Sequence, residues 1–178
     1  MSYKFNLNFD DLNDKGFVVI RPGRYVGKIV DWRFYVKEET ANALFQLEFE
    51  LVGSDYAGKT IRFWQSIGKS DGGNTIISTP DDAGRVYRLY KNLGLVMADD
   101  RQADKPLDLQ AVFGAADENG KLQVTHLSVN GDKRPVTGAK ATLVIVESQD
   151  TDGNPSHSIK YVDSLSVTPD GKSSDIPF

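Results

Sequence analysis

Residues 43–67 constrain the possible fold more than any other part of the chain. Two runs within them, residues 43–51 and 60–67, alternate between apolar and polar side chains. Successive side chains of a β-strand point to opposite faces, so this period of two predicts two half-buried strands and a β-rich domain. The apolar side chains of the two runs are Ala43, Phe45, Leu47, Phe49 and Leu51, followed by Ile61, Phe63 and Ile67.

The segment between the two runs, residues 53–60, matches the phosphate-binding pattern G-x-x-x-x-G-K-[ST]. A nucleotide-binding loop of this kind is followed by a helix, because the helix N-terminus and the loop amides hold the phosphates together. The residues after Thr60 instead alternate and are rich in aromatic and β-branched side chains. We therefore interpret the segment as a hairpin loop with Gly53 and Gly58 at turn positions, and disfavour a nucleotide hydrolase.

Composition limits the class of protein. A chain of 178 residues with 39% hydrophobic and 26% charged residues fits one soluble globular domain. The absence of cysteine excludes disulfides, thiolate zinc sites and cysteine nucleophiles. No apolar run reaches the ~20 residues of a membrane span and no signal-peptide core is present, so we expect a cytoplasmic protein. A net charge of −4 disfavours a broadly basic duplex-DNA coat, although it allows a local basic groove.

The residue pattern also predicts a long first strand, one helix and a final hairpin. Residues 24–37 predict a long strand in which Gly27 permits a bend or bulge. Thr79 and Asp82 form a capping-box pattern around Pro80, and the helix that they start is predicted to end at Gly94. Residues 139–148 and 157–167 predict a final hairpin. The side chains of the long strand that we assign to the core are Val26, Val30, Trp32, Phe34 and Val36.

The resulting inventory is about five main strands with one helix after the third strand. This order predicts an OB-fold-like, five-stranded Greek-key barrel. Residues 98–137 are interpreted as an insertion, a hairpin packed on the barrel, in which residues 107–113 form either a short helix or a strand. The domain is then residues 1–167, and residues 168–178 form a disordered tail.

The polar strand faces carry the candidate site. An exposed aromatic ring beside an arginine suits single-stranded nucleic acid, because the ring stacks on bases while cations follow the backbone. The alternative is ordinary packing, with Tyr35 and Trp64 covered by the insertion. No catalytic triad, carboxylate pair or metal-ligand cluster is recognisable, so neither an enzyme nor a cofactor is expected. The candidate DNA-binding residues are Arg33, Tyr35, Lys37, Lys59, Arg62, Trp64 and Lys160.

The chain ends in Asp175-Ile176-Pro177-Phe178. Such a tip can place Phe178 in an apolar pocket while a basic residue of a partner protein holds the terminal carboxylate. We therefore predict that these four residues dock partner proteins. The tip resembles the C-terminal tip of bacterial single-stranded DNA-binding proteins, which docks replication and repair proteins, although Ser173 and Ser174 stand where acidic residues are usual and Lys172 adds a positive charge.

A second resemblance covers roughly residues 20–96 and 138–166. It is to a family of phage proteins, formerly a domain of unknown function and now taken as phage single-stranded DNA-binding proteins. The resemblance implies an OB-like fold and binding of single-stranded DNA during phage replication or recombination in the host cytoplasm, without catalytic residues. From the residues alone, the alternative is a non-enzymatic β-barrel adaptor or structural module that uses surface aromatics for protein contacts. The motifs that carry the resemblance are Pro22-Gly23-x-Tyr25-x-x-Lys28-Ile29, Leu47-x-Phe49-x-Leu51-Val52-x-x-x-Tyr56-x-Gly58-Lys59, and Gly84-Arg85 with Leu89 and Leu93-Gly94.

Overall fold

The computed structural model describes residues 2–4 and 9–165 of the chain. The fold is mainly β, with one α-helix among the described residues, and it confirms the β-rich class. The predicted tail and its tip, Asp175 to Phe178, lie outside the described residues. The strands are β1 Gly23–Val36, β2 Asn42–Val52, β3 Thr60–Ser70, β4 Ile76–Ile77, β5 Leu109–Ala116, β6 Leu122–Val129, β7 Asp132–Pro135, β8 Lys140–Gln149 and β9 Pro155–Asp163; the helix is α1 Pro80–Asn92, and one 3-10 turn spans Ala98–Asp100.

All strand pairs are antiparallel, and they form one open sheet. Strands β4, β3, β2 and β1 are neighbours in that order; β1 then pairs with β8 through its first half and with β6 through its second half. Strand β9 pairs with β8 and approaches β3 to within 8 Å between Cα atoms, yet no backbone pairing joins β9 to β3 in the described part. The structure therefore contains nine strands in an open sheet where five strands in a closed barrel were predicted.

The extra strands have a simple origin. Residues 98–137 contribute β5, β6 and β7, and β4 comes from the glycine-rich segment after β3. Of the two alternatives for residues 107–113, the strand is present from Leu109 onward. Apolar residues on one side of β6, Val124, Leu127 and Val129, are at most 3% exposed and join the main core. The insertion is thus packed as part of the same body.

Strand β2 confirms the alternation from which the fold was inferred. Its apolar residues Ala43, Phe45, Leu47, Phe49 and Leu51 are at most 3% exposed. They lie between β1 and β3, each of which pairs with β2 over nine or more residues. The side chains at the intervening positions point to the opposite face of the sheet.

Strand β1 corrects the predicted core face. The register of its pairing with β2 shifts between Ile29 and Asp31, so Val30 is the extra residue of a β-bulge. A bulge exchanges the two faces of a strand along its length. Ile29 and Trp32 are therefore the fully buried residues of β1, whereas Val26 and Val30 are only half-buried.

Gly27 has a packing role, and the bulge lies three residues beyond it. A Cβ atom at Gly27 would lie 2.5 Å from Cδ1 of Leu143 on β8. The missing side chain therefore leaves room for the Leu143 side chain of β8, the strand that pairs with the first half of β1. The bend that was predicted at Gly27 is supplied by Val30.

Helix α1 confirms the capping box. The Thr79 hydroxyl accepts from the Asp82 amide at 3.1 Å, and the Asp82 carboxylate accepts from the Thr79 amide at 3.0 Å. The helix packs its Tyr90 ring 6.0 Å from the Trp32 ring. Asn92 Nδ2 donates to the Val162 carbonyl at 2.9 Å, which ties the end of the helix to β9. Helix α1 thus covers the core at one end of the sheet.

The segment with the phosphate-binding pattern is a hairpin loop between β2 and β3. It is followed by a strand, and the Leu51 amide donates to the Lys59 carbonyl at 2.8 Å across the hairpin. Gly53 and Gly58 both have positive φ, as turn positions require. Tyr56 in the loop donates its hydroxyl proton to Asp11 Oδ2 at 3.0 Å. The helix that a nucleotide-binding loop needs is replaced here by β3.

Candidate nucleic-acid interface

The candidate site lies on the outer face of the sheet, which we define as the side of β1, β2 and β3 that faces away from the core. Strand register places its side chains in rows that cross the three strands. One row is Asp31, Glu48 and Arg62, and the next is Arg33, Gln46 and Trp64. A third row contains Tyr35, Leu44 and Ser66; beyond it, Lys69 pairs with Asn42, whose carbonyl accepts from the Lys37 amide.

Trp64 is an exposed aromatic side chain of this face. Its residue is 51% exposed, whereas Trp32 on the core side is 2% exposed. Its partner across β2 is Gln46, so no bulky side chain stands directly opposite the indole. The ring is therefore available to stack on a planar ligand.

Arg62 stands two residues before Trp64 and points to the same face. It is exposed, and no acidic side chain lies within 4.0 Å of its guanidinium in the part of the chain that the structure describes. Its cross-strand neighbour is nevertheless Glu48. The guanidinium is thus free to bind an anion, although a carboxylate lies on the adjacent strand.

Arg33 is held by the protein itself. Its Nε donates to Asp31 Oδ2 at 3.1 Å, and its side chain is 23% exposed. It pairs with Gln46 on one side and with Gln123 of β6 on the other. The guanidinium therefore sits in the middle of the outer face with part of its charge already compensated.

Tyr35 is partly covered by the insertion. Lys121 Nζ lies 4.4 Å from the centroid of the Tyr35 ring and donates to Gln46 Oε1 at 2.8 Å. The covering that was weighed as an alternative therefore applies to Tyr35, through a single side chain. Trp64 remains open, because β6 lies beside β1 and extends the sheet instead of crossing over it.

Lys37 and Lys69 are the cations at one margin of the outer face. Lys37 follows β1 directly and is exposed, and its amide donates to the Asn42 carbonyl at 2.8 Å. Lys69 is also exposed and pairs with Asn42 from the other side. The two ammonium groups therefore flank β2 at the end where the β1–β2 hairpin turns.

Lys59 and Lys160 are not brought into this group. Lys59 precedes β3 and shares the parity of the buried Ile61; it lies five residues, or about 17 Å of strand, from Trp64. Lys160 is the extra residue of a bulge in β9, because Tyr161 pairs with Val144 while Ile159 pairs with Ile145. The bulge leaves Lys160 exposed while Val162, two residues later, is buried, so these two side chains do not share a face.

A cleft of about 370 Å³ lies where β9 approaches β3, and it opens next to Trp64. His157 Nδ1 accepts from the Ile20 amide at 3.0 Å, and burial lowers the pKa of this imidazole. The ring is therefore neutral near pH 7, and its proton is on Nε2. The polar side chains that line the cleft are Glu48, Thr60, Arg62, His157 and Ser158.

The predicted site omits four residues that lie on the outer face or next to it, Gln46, Lys69, Lys121 and Gln123. Gln46 was visible as an outward position of β2 but was not singled out. Lys69 lies beyond the strand predicted over residues 60–67, because a register shift near Gly68 interrupts the alternation of β3. Lys121 and Gln123 belong to the insertion, where the sequence carried no signal for the side on which β6 pairs.

Comparison of the chain with family models, curated proteins and solved structures finds no match. The described residues contain no helix that is long and apolar enough to cross a membrane. Within the same residues, no group of three or more histidine, aspartate or glutamate side chains is arranged to hold a metal ion.

Proposed function

We propose that this chain is a sequence-tolerant single-stranded DNA-binding protein without enzymatic activity. The observation that carries the proposal is the exposed Trp64 ring beside Arg62, which has no acidic side chain within 4.0 Å among the described residues, on the outer face of β3. An aromatic platform stacks on any base with about 1–3 kcal/mol per base, and the neighbouring cation serves the phosphate. Stacking on a π-face does not discriminate between bases, which is why we expect little sequence preference.

The phosphate path follows from the distribution of charge on the outer face. Asp31 and Glu48 occupy one row and repel phosphate there, whereas Lys37 and Lys69 lie at the opposite margin. We infer that the backbone runs from Arg62, which stands at the β3 end of the acidic row, past Arg33 in the row of Trp64, to Lys37 and Lys69. Lys59 and Lys160 then contact only DNA that extends beyond this face.

An OB-type core accounts for the strand pairing. In this proposal its five strands are β1, β2, β3, β8 and β9, and α1 follows the third of them. Strands β3 and β9 run in the same direction, since each is two antiparallel steps from β1. Their approach to within 8 Å on the side away from β1 supports a barrel that is nearly closed.

The biological setting rests on the sequence. The phage-family resemblance supports a role in phage DNA replication or recombination in the host cytoplasm. Asp175, Ile176, Pro177 and Phe178 would recruit replication or recombination proteins. Removing these four residues should abolish capture of such a partner and leave DNA affinity unchanged or higher, because the acidic tip no longer competes for the cations.

Tryptophan fluorescence during titration with oligo-dT tests the function directly. Trp32 is buried, so quenching by stacked bases reports on Trp64. We expect quenching in the wild type, loss of most of it in Trp64→Phe, and retained binding of a labelled oligomer by that variant, since phenylalanine still stacks.

The dependence of affinity on salt provides the matching control. Phosphate contacts from Arg62, Lys37 and Lys69 should together give a slope of log affinity against log salt of about −2, at ~0.7 per contact with a single strand. A duplex of the same length should bind more weakly. Unchanged fluorescence together with no shift of a single-stranded oligomer at low salt would reject DNA binding and favour the adaptor alternative, in which Trp64 contacts protein.

A further inference from the structure

The inserted arm, which we define as β5, β6 and β7, continues the outer face beyond β1. We propose that this arm is a second half of the nucleic-acid interface, which binds single-stranded DNA leaving the β1 side of the face and so lengthens the occluded site. The proposal rests on the proposed function. It adds a surface and a length of ligand that Trp64 and its neighbours do not account for.

Continuity of the sheet is the first observation. Gln123 of β6 pairs with Arg33 and Leu122 pairs with Phe34, so β6 lies in the plane of the sheet next to β1. The row that begins at Trp64 and passes through Gln46 and Arg33 therefore ends at Gln123, three strands away from β3. At a spacing of about 4.8 Å between strands, it spans roughly 14 Å without a step in the surface.

Burial identifies the side of the arm that shares this surface. Val124, Leu127 and Val129 of β6 point into the core. A register shift in the pairing with β5 falls between Val124 and His126, after which His126 and Ser128 point outward with Gln123. Lys133 of β7 pairs with Ser128 and is exposed, so it also belongs to the outer face.

Charge is sorted between the two sides of the arm. Residues 98–137 contain five basic and seven acidic residues, a net charge of −2. Strands β5 and β6 carry no acidic residue, and Asp132 of β7 pairs with the inward-facing Val129. Arg134 lies on the inner side, where it donates to both oxygens of Asp100 at 2.7 Å. Lys133, and Lys121 directly before β6, are therefore the basic residues on the outer side of these strands, whereas Asp117 and Glu118 lie in the β5–β6 turn.

Lys121 connects the two halves of this interface. It starts at the base of β6 and reaches across β1 to Gln46, over the Tyr35 ring. A phosphate that arrives from the Trp64 side would compete with the ring for the ammonium group, since an anion attracts it more strongly than a π-face does. When the Lys121 ammonium group moves off the ring, Tyr35 becomes accessible to a base, and the DNA backbone then runs on toward Lys133.

The experiment compares two oligo-dT lengths, about 5 and about 15 nucleotides, which lie near the lower and upper ends of the ~4–16 nucleotides bound by single OB folds. The test variants are Lys133→Gln and the double variant Lys121→Gln/Lys133→Gln. The matched control is Lys105→Gln/Lys91→Gln, which removes the same charge from exposed positions outside the outer face. Affinity is measured by anisotropy at several salt concentrations, and occluded length by stoichiometric titration on long oligo-dT.

We expect the double test variant to lower the slope of log affinity against log salt by about 1.4 on the longer oligomer, at ~0.7 per lost contact. The shorter oligomer should bind Lys133→Gln as it binds wild type, and the occluded length should shrink in both test variants. Equal losses in test and control variants, or an unchanged slope and occluded length, would overturn the role of the arm while leaving the proposed function intact. Absence of binding by the wild type at both lengths would overturn the proposed function itself.

Discussion

Lys121 Nζ lies 4.4 Å from the centroid of the Tyr35 ring, a cation over the face of an aromatic side chain. The same ammonium group donates to Gln46 Oε1 at 2.8 Å. These contacts exist because β6 pairs with the second half of β1, whereas β8 pairs with the first half. One of the two aromatic rings assigned to DNA stacking is therefore covered by a side chain of the insertion.

A double-mutant cycle measures this contact. We expect Lys121→Ala and Tyr35→Leu to couple by about 0.5–1 kcal/mol in the free energy of urea unfolding, the range of a partly exposed cation–π pair. Tyr35→Phe retains the ring face and should retain the coupling. Additive effects of Lys121→Ala and Tyr35→Leu would show that the ammonium group is held by Gln46 alone.

The two tryptophans should respond differently to solvent quenchers. Trp64 is half-exposed and Trp32 is buried, so we expect Trp64→Phe to leave a blue-shifted emission that acrylamide quenches weakly. The complementary variant is Trp32→Phe. Because Trp32 Nε1 has no hydrogen-bond partner among the described residues, this substitution removes an unpaired buried donor, and we expect a folded protein with strongly quenched emission. Similar quenching of both variants would contradict the assigned exposures.

The ion pair between Asp100 and Arg134 fastens the arm to the residues after α1. Arg134 Nη1 also donates to the Leu95 carbonyl at 2.6 Å, so Arg134→Gln leaves this carbonyl without its side-chain donor and the Asp100 carboxylate with only the Met97 amide. We expect this variant to lose about 2 kcal/mol of unfolding free energy in urea titrations. Lys133→Gln, one residue earlier and exposed, should lose almost nothing.

The ion pair between Asp100 and Arg134 should also make the free energy of unfolding depend on pH in acid. Hydrogen bonds from Arg134 and the Met97 amide lower the pKa of Asp100 to about 2, below its usual 3.8. A depressed carboxyl pKa stabilises the folded state above the unfolded pKa, and this contribution disappears as pH falls from about 4 to about 2. We expect Asp100→Asn to flatten that part of the curve of unfolding free energy against pH. An unchanged acid limb in Asp100→Asn would argue against the pair.

Two glycines should respond in opposite directions to alanine. Gly68 has φ +142°, and a Cβ there would lie 2.9 Å from the Ile77 carbonyl carbon, so Gly68→Ala should cost about 1–3 kcal/mol by thermal or urea unfolding. Gly84 lies in α1 with open space around it, and Gly84→Ala should raise stability by about 0.5–1 kcal/mol through helix propensity. Stabilisation by Gly68→Ala would contradict the pairing of β3 with β4.

Local residue patterns were sufficient to predict several secondary-structure elements. The apolar alternation of residues 43–51 identified the buried face of β2, because the extra residues at its two register shifts lie on the partner strands, Val30 on β1 and Ile67 on β3. Thr79 and Asp82 identified the start of α1, since a capping box is formed within one helical turn. Residues 53–60 were recognised as a loop because the side chains after Thr60 suit a strand. Each of these inferences depended on neighbours in sequence.

The candidate site was only partly accessible in this way. Arg62 and Trp64 share a face because they are two residues apart on an unbulged part of β3. The bulge at Val30, by contrast, inverts the faces of β1, and the bulge at Lys160 separates that residue from Val162. A bulge is decided by the pairing partner, so no alternation within one strand reveals it.

The sequence by itself determined that this chain is β-rich, that it buries one face of β2, and that Arg62 and Trp64 stand together on the outward face of β3. Tertiary structure decided what surrounds them. It placed β6 beside β1, brought Lys121 over Tyr35 and left Trp64 open. The physical reason is that strand alternation is a property of consecutive residues, whereas the side on which a distant strand pairs depends on the core that Val124, Leu127 and Val129 complete.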